Sequence, residues 1–128
     1  MRKWLAAAGA IGAALWMTCA AFAQSLPMKA WTFQSPLISL GYCQLSVTTA
    51  VSISTCSGGI PTGAFYAFIV PESNAIRIRD DGTNPTTSVG IPVATNVPYY
   101  ATVNPLSNVV VISQSGTATV NVVFYKIQ

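Results

Sequence analysis

The sequence contains no histidine, and only 7% of its 128 residues are charged. The commonest general base and metal ligand is therefore missing, which excludes His-based catalytic triads and most zinc sites. Six Lys and Arg against three Asp and Glu give a formal charge of +3. Two of the six, Arg2 and Lys3, stand at the extreme N-terminus, and without them four cations face three anions. Such a chain has no clustered basic face, so nucleic acid is not an expected partner. Helical periodicity is lacking too, and 128 residues hold at most one domain. What is abundant is apolar character: 52% of the residues are hydrophobic.

Part of that character lies in a leader. Arg2 and Lys3 precede an Ala-, Leu- and Gly-rich run from Leu5 to Trp16, and Ala21-Phe22-Ala23 before Gln24 has the A-x-A form of a cleavage site. Residues 1–23 are expected to be a secretory signal peptide, followed by an N-terminal arm over 24–36 and a β-sandwich domain over 37–128. The rival is an uncleaved anchor, since Leu5 to Ala23 is uncharged for nearly the length that a bilayer span requires. Cys19 makes a poor lipid-attachment site, because Trp16-Met17-Thr18 before it lacks small residues. No later stretch has the length and apolarity of a span. The expected destination is the periplasm, cell surface or medium.

Cys43 and Cys56 suit such an oxidising compartment, where a disulfide between them would close a loop of about 14 residues, worth roughly 3 kcal/mol in the chain-entropy model. The alternatives are two buried thiols or a redox pair, although the spacing is not CxxC. Strand parity complicates the pairing. Cys43 shares a face with Leu45 and Val47, whereas Cys56 falls opposite Val51 and Ile53 unless a bulge or turn intervenes.

Beyond the leader, Val, Ile, Thr, Tyr and Phe recur in short runs separated by Gly, Pro, Asn and Ser, which marks an all-β protein. Eight strands are expected, over Gly41–Val47, Ala50–Ser54, Ala64–Val70, Ala75–Arg79, Val89–Val93, Tyr99–Val103, Asn108–Ser113 and Ala118–Lys126. They fit a small antiparallel β-sandwich, with a jelly-roll-like connectivity as one option. Ile76 and Ile78 alternate with Arg77 and Arg79, giving one core face and one polar face. Ala64–Val70, Val109–Ile112 and Val122–Tyr125 are apolar on both sides. Two sheets have only two inner faces, so the outer sides of these runs need a cover. Self-assembly would supply it; the rival cover is the arm together with the loop Thr83–Val89.

The one cluster of charge is Arg77-Ile78-Arg79-Asp80-Asp81-Gly82. The plainest reading is a turn in which Gly82 takes the positive-φ position and the arginines pair with the aspartates, within the chain or at a subunit contact. A cation site built from Asp80, Asp81 and Asn84 lacks the regular spacing of calcium loops. Catalysis by the two carboxylates is awkward because adjacent residues at a strand end point apart. Ser and Thr hydroxyls have no evident base beside them, so no catalytic residue, metal or cofactor is expected. Trp31, Tyr99 and Tyr100 would be the contacts of a glycan site, against the plainer reading of strand packing.

Four segments carry a resemblance. Leu40-Gly41-Tyr42-x-Gln44-Leu45, Gly59-Ile60-Pro61-x-Gly63-Ala64, the block Arg77-Ile78-Arg79-Asp80-Asp81-Gly82-x-x-Pro85-Thr86 continuing to Pro92, and Thr119-Val120-Asn121-Val122-x-Phe124-Tyr125 resemble small virion structural proteins of tailed bacteriophages and prophages. The likeness runs from about Ser39 to Tyr125, and its most specific part is Arg-x-Arg-Asp-Asp-Gly-x-x-Pro-Thr. It implies a non-enzymatic, decoration-like component that forms homo-oligomers or binds other virion or surface proteins. A different class, an exported adhesin or carbohydrate-binding module, is the alternative.

Overall fold

The computed structural model describes residues 36–128. The expected signal peptide, the expected arm up to residue 35 and Trp31 lie outside the described residues. Eight strands form: β1 (Leu37–Val47), β2 (Val51–Ser52), β3 (Tyr66–Pro71), β4 (Ile76–Arg79), β5 (Ile91–Val93), β6 (Tyr99–Ala101), β7 (Val110–Ser113) and β8 (Ala118–Ile127). Each falls on one of the eight apolar runs. The shortest, β2, gives way at Ile53 to a 3-10 turn, Ile53–Thr55. Ser52 caps that turn, its hydroxyl accepting from the Ser54 N–H at 3.1 Å.

The strands build two antiparallel four-stranded sheets, in the orders β1-β8-β3-β6 and β2-β7-β4-β5. The pairing is nested: β1 with β8, β2 with β7, β3 with β6 and β4 with β5. One long antiparallel ribbon, folded across itself into two sheets, is the jelly-roll arrangement. Among the described residues no helix is long and apolar enough to cross a membrane.

Period-two alternation sends one side of every long strand into the core. In β1, Cys43, Leu45 and Val47 are buried while Tyr42, Gln44 and Ser46 are exposed. In β8, Ala118, Val120, Val122 and Phe124 point inward. They meet Ile76 and Ile78 of β4 and Val111 of β7 in one apolar cluster between the sheets. A bulge at Leu40, between the pairs Ser39↔Tyr125 and Gly41↔Phe124, resets the register near the start of β1.

Cys43 and Cys56 form a disulfide with Cα atoms 5.8 Å apart, and both are buried. The parity difficulty disappears because residues 53–55 are helical. The 3-10 turn rotates the chain so that Ile53 and Cys56 both face the core.

The doubly apolar runs behave differently on the two sheets. Val109, just before β7, and Val110 and Val111 within it are all buried, although Val110 lies on the outer side opposite Arg79. The outer side of this sheet is partly covered by the loop Thr83–Gly90. Arg77 Nε donates to the Thr87 carbonyl and Nη1 to the Gly90 carbonyl, both at 2.9 Å. Gly90 makes the close approach possible: at φ +126°, a Cβ there would lie 3.0 Å from the Ile78 carbonyl oxygen and 3.2 Å from Pro85 Cβ. In β3 and β8, by contrast, Tyr66, Phe68, Val123 and Tyr125 are only half-buried. Among the described residues, nothing shields them.

Candidate functional site

Two places invite a functional reading: the charged turn after β4 and the uncovered face of β1-β8-β3-β6. At the turn, Arg79 forms a salt bridge with Asp81, and Arg79 Nε donates to Asp81 Oδ1 at 3.1 Å. The Thr83 N–H donates to the same oxygen at 3.0 Å, closing a local Asx turn. Gly82 takes φ +79°, and its N–H donates to the Asn108 carbonyl at 3.0 Å. The hydrogen bond from Arg79, then that from the Thr83 N–H, pulls the Asp81 carboxyl down to about 2. This contribution is present above the ordinary carboxylate range and is lost as the pH falls toward 2.

The other two charges go elsewhere. Arg77 pairs with no aspartate, because its guanidinium is committed to the carbonyls of Thr87 and Gly90. Asp80 accepts from the Tyr99 hydroxyl at 3.1 Å, across to β6 of the other sheet. The two carboxylates thus diverge, as neighbours at a strand end do. Among the described residues, no three His, Cys, Asp or Glu side chains gather as a metal-ligand set. A shallow depression of about 600 Å³ at the turn is lined by Ile78, the Arg79–Asp81 pair, Asp80, Val89, Ile91 and Pro92. Val89 and Ile91 are about half exposed there.

Tyr99 links the sheets. Burial first, and then the hydrogen bond to Asp80, push its phenol up to about 12. An unfolded tyrosine loses its proton near 10, so the folded state retains a proton that the unfolded state gives up between pH 10 and 12. Stability contributed by this group is complete below pH 10 and is lost as the pH rises through 12. The urea midpoint should therefore fall between pH 9 and pH 11.5. Tyr99→Phe should reduce that fall while leaving the smaller part due to Tyr66, whose pKa burial also raises. An equal fall in the variant would detach Tyr99 from the alkaline response.

Tyr99 and Tyr100 do not share a surface. Tyr99 is opposite Ile69 on the core side, while Tyr100 is opposite Phe68 on the outer side and 55% exposed. With Trp31 outside the described residues, the three aromatics expected at a glycan site are not brought together. Tyr100 instead joins Tyr42 and the outer sides of the doubly apolar runs Ala64–Val70 and Val122–Tyr125. Across the outer face, the ladder aligns Tyr42, Val123, Phe68 and Tyr100 in one row spanning all four strands. The row beside it holds Tyr125 and Tyr66. Ring centroids lie 5.9 Å apart for Tyr66–Tyr100, with planes only 27° apart, 5.8 Å for Tyr66–Tyr125 and 5.4 Å for Phe68–Tyr100.

On the other side of the aromatic row lie Gln44, Asn121 and Val70, with Glu72 just past β3. These polar groups interlock. Asn121 Oδ1 accepts from the Tyr42 hydroxyl at 2.6 Å and from Gln44 Nε2 at 3.1 Å. Glu72 Oε2 accepts from Gln44 Nε2 and Asn121 Nδ2, each at 3.3 Å. Fold and surface together define a disulfide-closed jelly roll with a tyrosine-rich open face. Comparison with protein-family models, curated protein sequences and solved structures finds no match for this chain.

Proposed function

We propose that this protein is a non-enzymatic structural protein, exported and phage-related, that joins a particle or surface assembly through the outer face of β1-β8-β3-β6. The observation that carries the reading is the row Tyr42, Val123, Phe68 and Tyr100, backed by Tyr66 and Tyr125. An apolar face that crosses a whole sheet is the kind of surface that association covers, and burial supplies about 25 cal/mol per Å². Tyrosine is also among the residues that dominate binding energy when a partner encloses it. The Arg79–Asp81 turn and the exposed Val89 and Ile91 form a second, smaller surface on the opposite sheet, suited to setting register between subunits.

Three further points support the reading. The sequence has no histidine to serve as a base. The disulfide suits an oxidising, extracytoplasmic setting. The jelly roll is a recurrent architecture of viral capsid and lectin domains, an analogy of fold alone.

The test is recovery of the protein, by mass spectrometry, in gradient-purified particles and in the envelope fraction of the producing cells. The wild-type protein should be found in stoichiometric amounts in one of them. Tyr100→Ser should be retained about tenfold or more weakly, as expected when an aromatic anchor worth about 2 kcal/mol is lost. Retention of the folded variant at the wild-type ratio would remove this face from the attachment.

A further inference from the structure

We infer that the chain's own segment 24–35 lies back along the outer face of β1-β8-β3-β6 in the free protein, with Phe33 and Trp31 against the aromatic rows and the Lys29 ammonium at the Glu72 carboxylate. This goes beyond the attachment reading, which names the face as a contact in an assembly. It names what occupies that face beforehand, and so what a partner must displace.

The first argument is where the segment enters. The Pro36 carbonyl accepts from the Gln128 N–H at 3.3 Å, so residue 35 leaves beside the C-terminal end of β8. Leu37 is opposite Ile127 there, and the register puts both on the same side of the sheet as Tyr125 and Val123. Each is about half exposed. They carry the apolar face to the very point of departure: Leu37 with Ile127 first, the Tyr66–Tyr125 row next, the Phe68–Val123 row after that. A segment tethered at the edge of a surface meets it at an effective concentration on the order of 1 mM. A second copy or a separate partner must be supplied at that level to compete on equal terms.

The second argument is length and period. Lys29 stands eight residues before Leu37, and two of the eight, Ser35 and Pro36, are residue types that favour a chain reversal. The other six, extended, cover about 20 Å at the usual rise. On β8, Asn121 stands six residues before Ile127, the same distance of about 20 Å from the point of entry. Alternate residues of an extended segment share a side, so Phe33, Trp31 and Lys29 face the sheet together. Phe33 then meets the Tyr66–Tyr125 row, Trp31 the Phe68–Val123 row and Lys29 the polar row of Asn121. The aromatic rings fall on aromatic and apolar rows, and the cation falls beyond them.

The third argument is charge. Lys29 is the only charged residue of segment 24–35. Of the chain's three carboxylates, Asp81 pairs with Arg79 and Asp80 accepts from the Tyr99 hydroxyl. Glu72 has no cation among the described residues; its Oε2 accepts from the amides of Gln44 and Asn121, which hold the carboxylate over the polar row. Contact between aromatic rings supplies most of the attraction, and an exposed ion pair adds little to it but sets the register.

The experiment is zero-length carbodiimide crosslinking of the protein expressed from its whole sequence, as an equal mixture of unlabelled and isotope-labelled material, followed by peptide mass spectrometry. A Lys29–Glu72 crosslink should form within single copies. Lys29→Glu should abolish it, the exchange Lys29→Glu with Glu72→Lys should restore a crosslink between the same two positions, and Trp31→Ala should weaken it about tenfold or more. Fluorescence gives a second readout that no sheet variant can confuse by misfolding. Trp31 is the only tryptophan outside residues 1–23, so the difference between wild type and Trp31→Phe isolates its emission. That emission should be quenched several-fold less by acrylamide than that of a free tryptophan amide. The inference is overturned by an absent crosslink with Trp31 as quenchable as the free amide, by crosslinks chiefly between copies, or by a crosslink indifferent to Trp31. Retention of Tyr100→Ser in purified particles or envelope is read separately. A docked segment with that variant retained at the wild-type ratio would leave the inference standing and the attachment reading refuted, and the opposite pair of results would do the reverse.

Discussion

Reducing the Cys43–Cys56 disulfide is expected to lower the unfolding free energy by about 3 kcal/mol, the chain-entropy value for a loop of this size. The bond joins the middle of β1 to the end of the 3-10 turn after β2, so it ties an edge strand of one sheet to the segment that leads out of an edge strand of the other. Both cysteines are buried, at 7% and 3% exposure, so the crosslink also forms part of the core. Urea unfolding with and without dithiothreitol reads the effect, and the Cys43→Ala/Cys56→Ala double variant should match the reduced protein. The slope of free energy against urea should increase, because an unfolded chain without the crosslink exposes more surface. A midpoint indifferent to reductant would mean that the two thiols are not paired in solution.

Phe124→Ala should cost about 3–5 kcal/mol, the range for deleting a buried aromatic ring and leaving the space unfilled. Phe124 is 2% exposed and lies on β8, flanked in the ladder by Gly41 of β1 and Ala67 of β3. Two small neighbours on either side show why the ring fits, and why no adjacent side chain can expand to replace it. Val123→Ala, one residue earlier and on the outer face, should cost less than about 1.5 kcal/mol, because that side of the sheet is only half-buried. Comparable losses for the two variants, measured by the same urea titration, would contradict the division of β8 into a core side and an open side.

How much of this was legible beforehand differs by level. All eight strands lie on runs of β-branched and aromatic residues, since such runs are short, apolar and bounded by turn formers whatever their partners. Ile76-Arg77-Ile78-Arg79 revealed its buried side through simple alternation, and that side is the buried one. Strand order was not legible, because β1 pairs with β8 some 80 residues away and no local pattern encodes a distant neighbour. The turn chemistry at Asp81-Gly82 was read from local residues, but Arg77 was given an aspartate when its guanidinium holds the Thr87 and Gly90 carbonyls. Backbone acceptors carry no mark in a sequence.

An uncovered outer side was expected on the runs Ala64–Val70 and Val122–Tyr125, but which residues form it was hidden for a related reason. Tyr66-Ala67-Phe68-Ile69-Val70 is apolar at every position, so period-two contrast vanishes and the side that remains open cannot be told from the core side. Only the ladder reveals that Tyr66, Phe68 and Val70 face outward while Ala67 and Ile69 face inward. Tyr99 and Tyr100 are separable by parity alone, since consecutive strand residues point opposite ways. The glycan trio of Trp31, Tyr99 and Tyr100 grouped them nonetheless. The polar strip was missed because Gln44, Glu72 and Asn121 come from three separate parts of the chain.

The nested pairing of strands also sets a timetable. β8 lies between β1 and β3, so a chain emerging in order lacks an inner strand of one sheet until β8, the last of the eight strands, appears. Before then β1 and β3 have no neighbour for their inward edges, and Phe124 is absent from the core. Long-range closure of this kind is slow compared with local hairpin formation. The sheet β1-β8-β3-β6 therefore closes only once β8 has been delivered, whereas every strand of the sheet β2-β7-β4-β5 is already present.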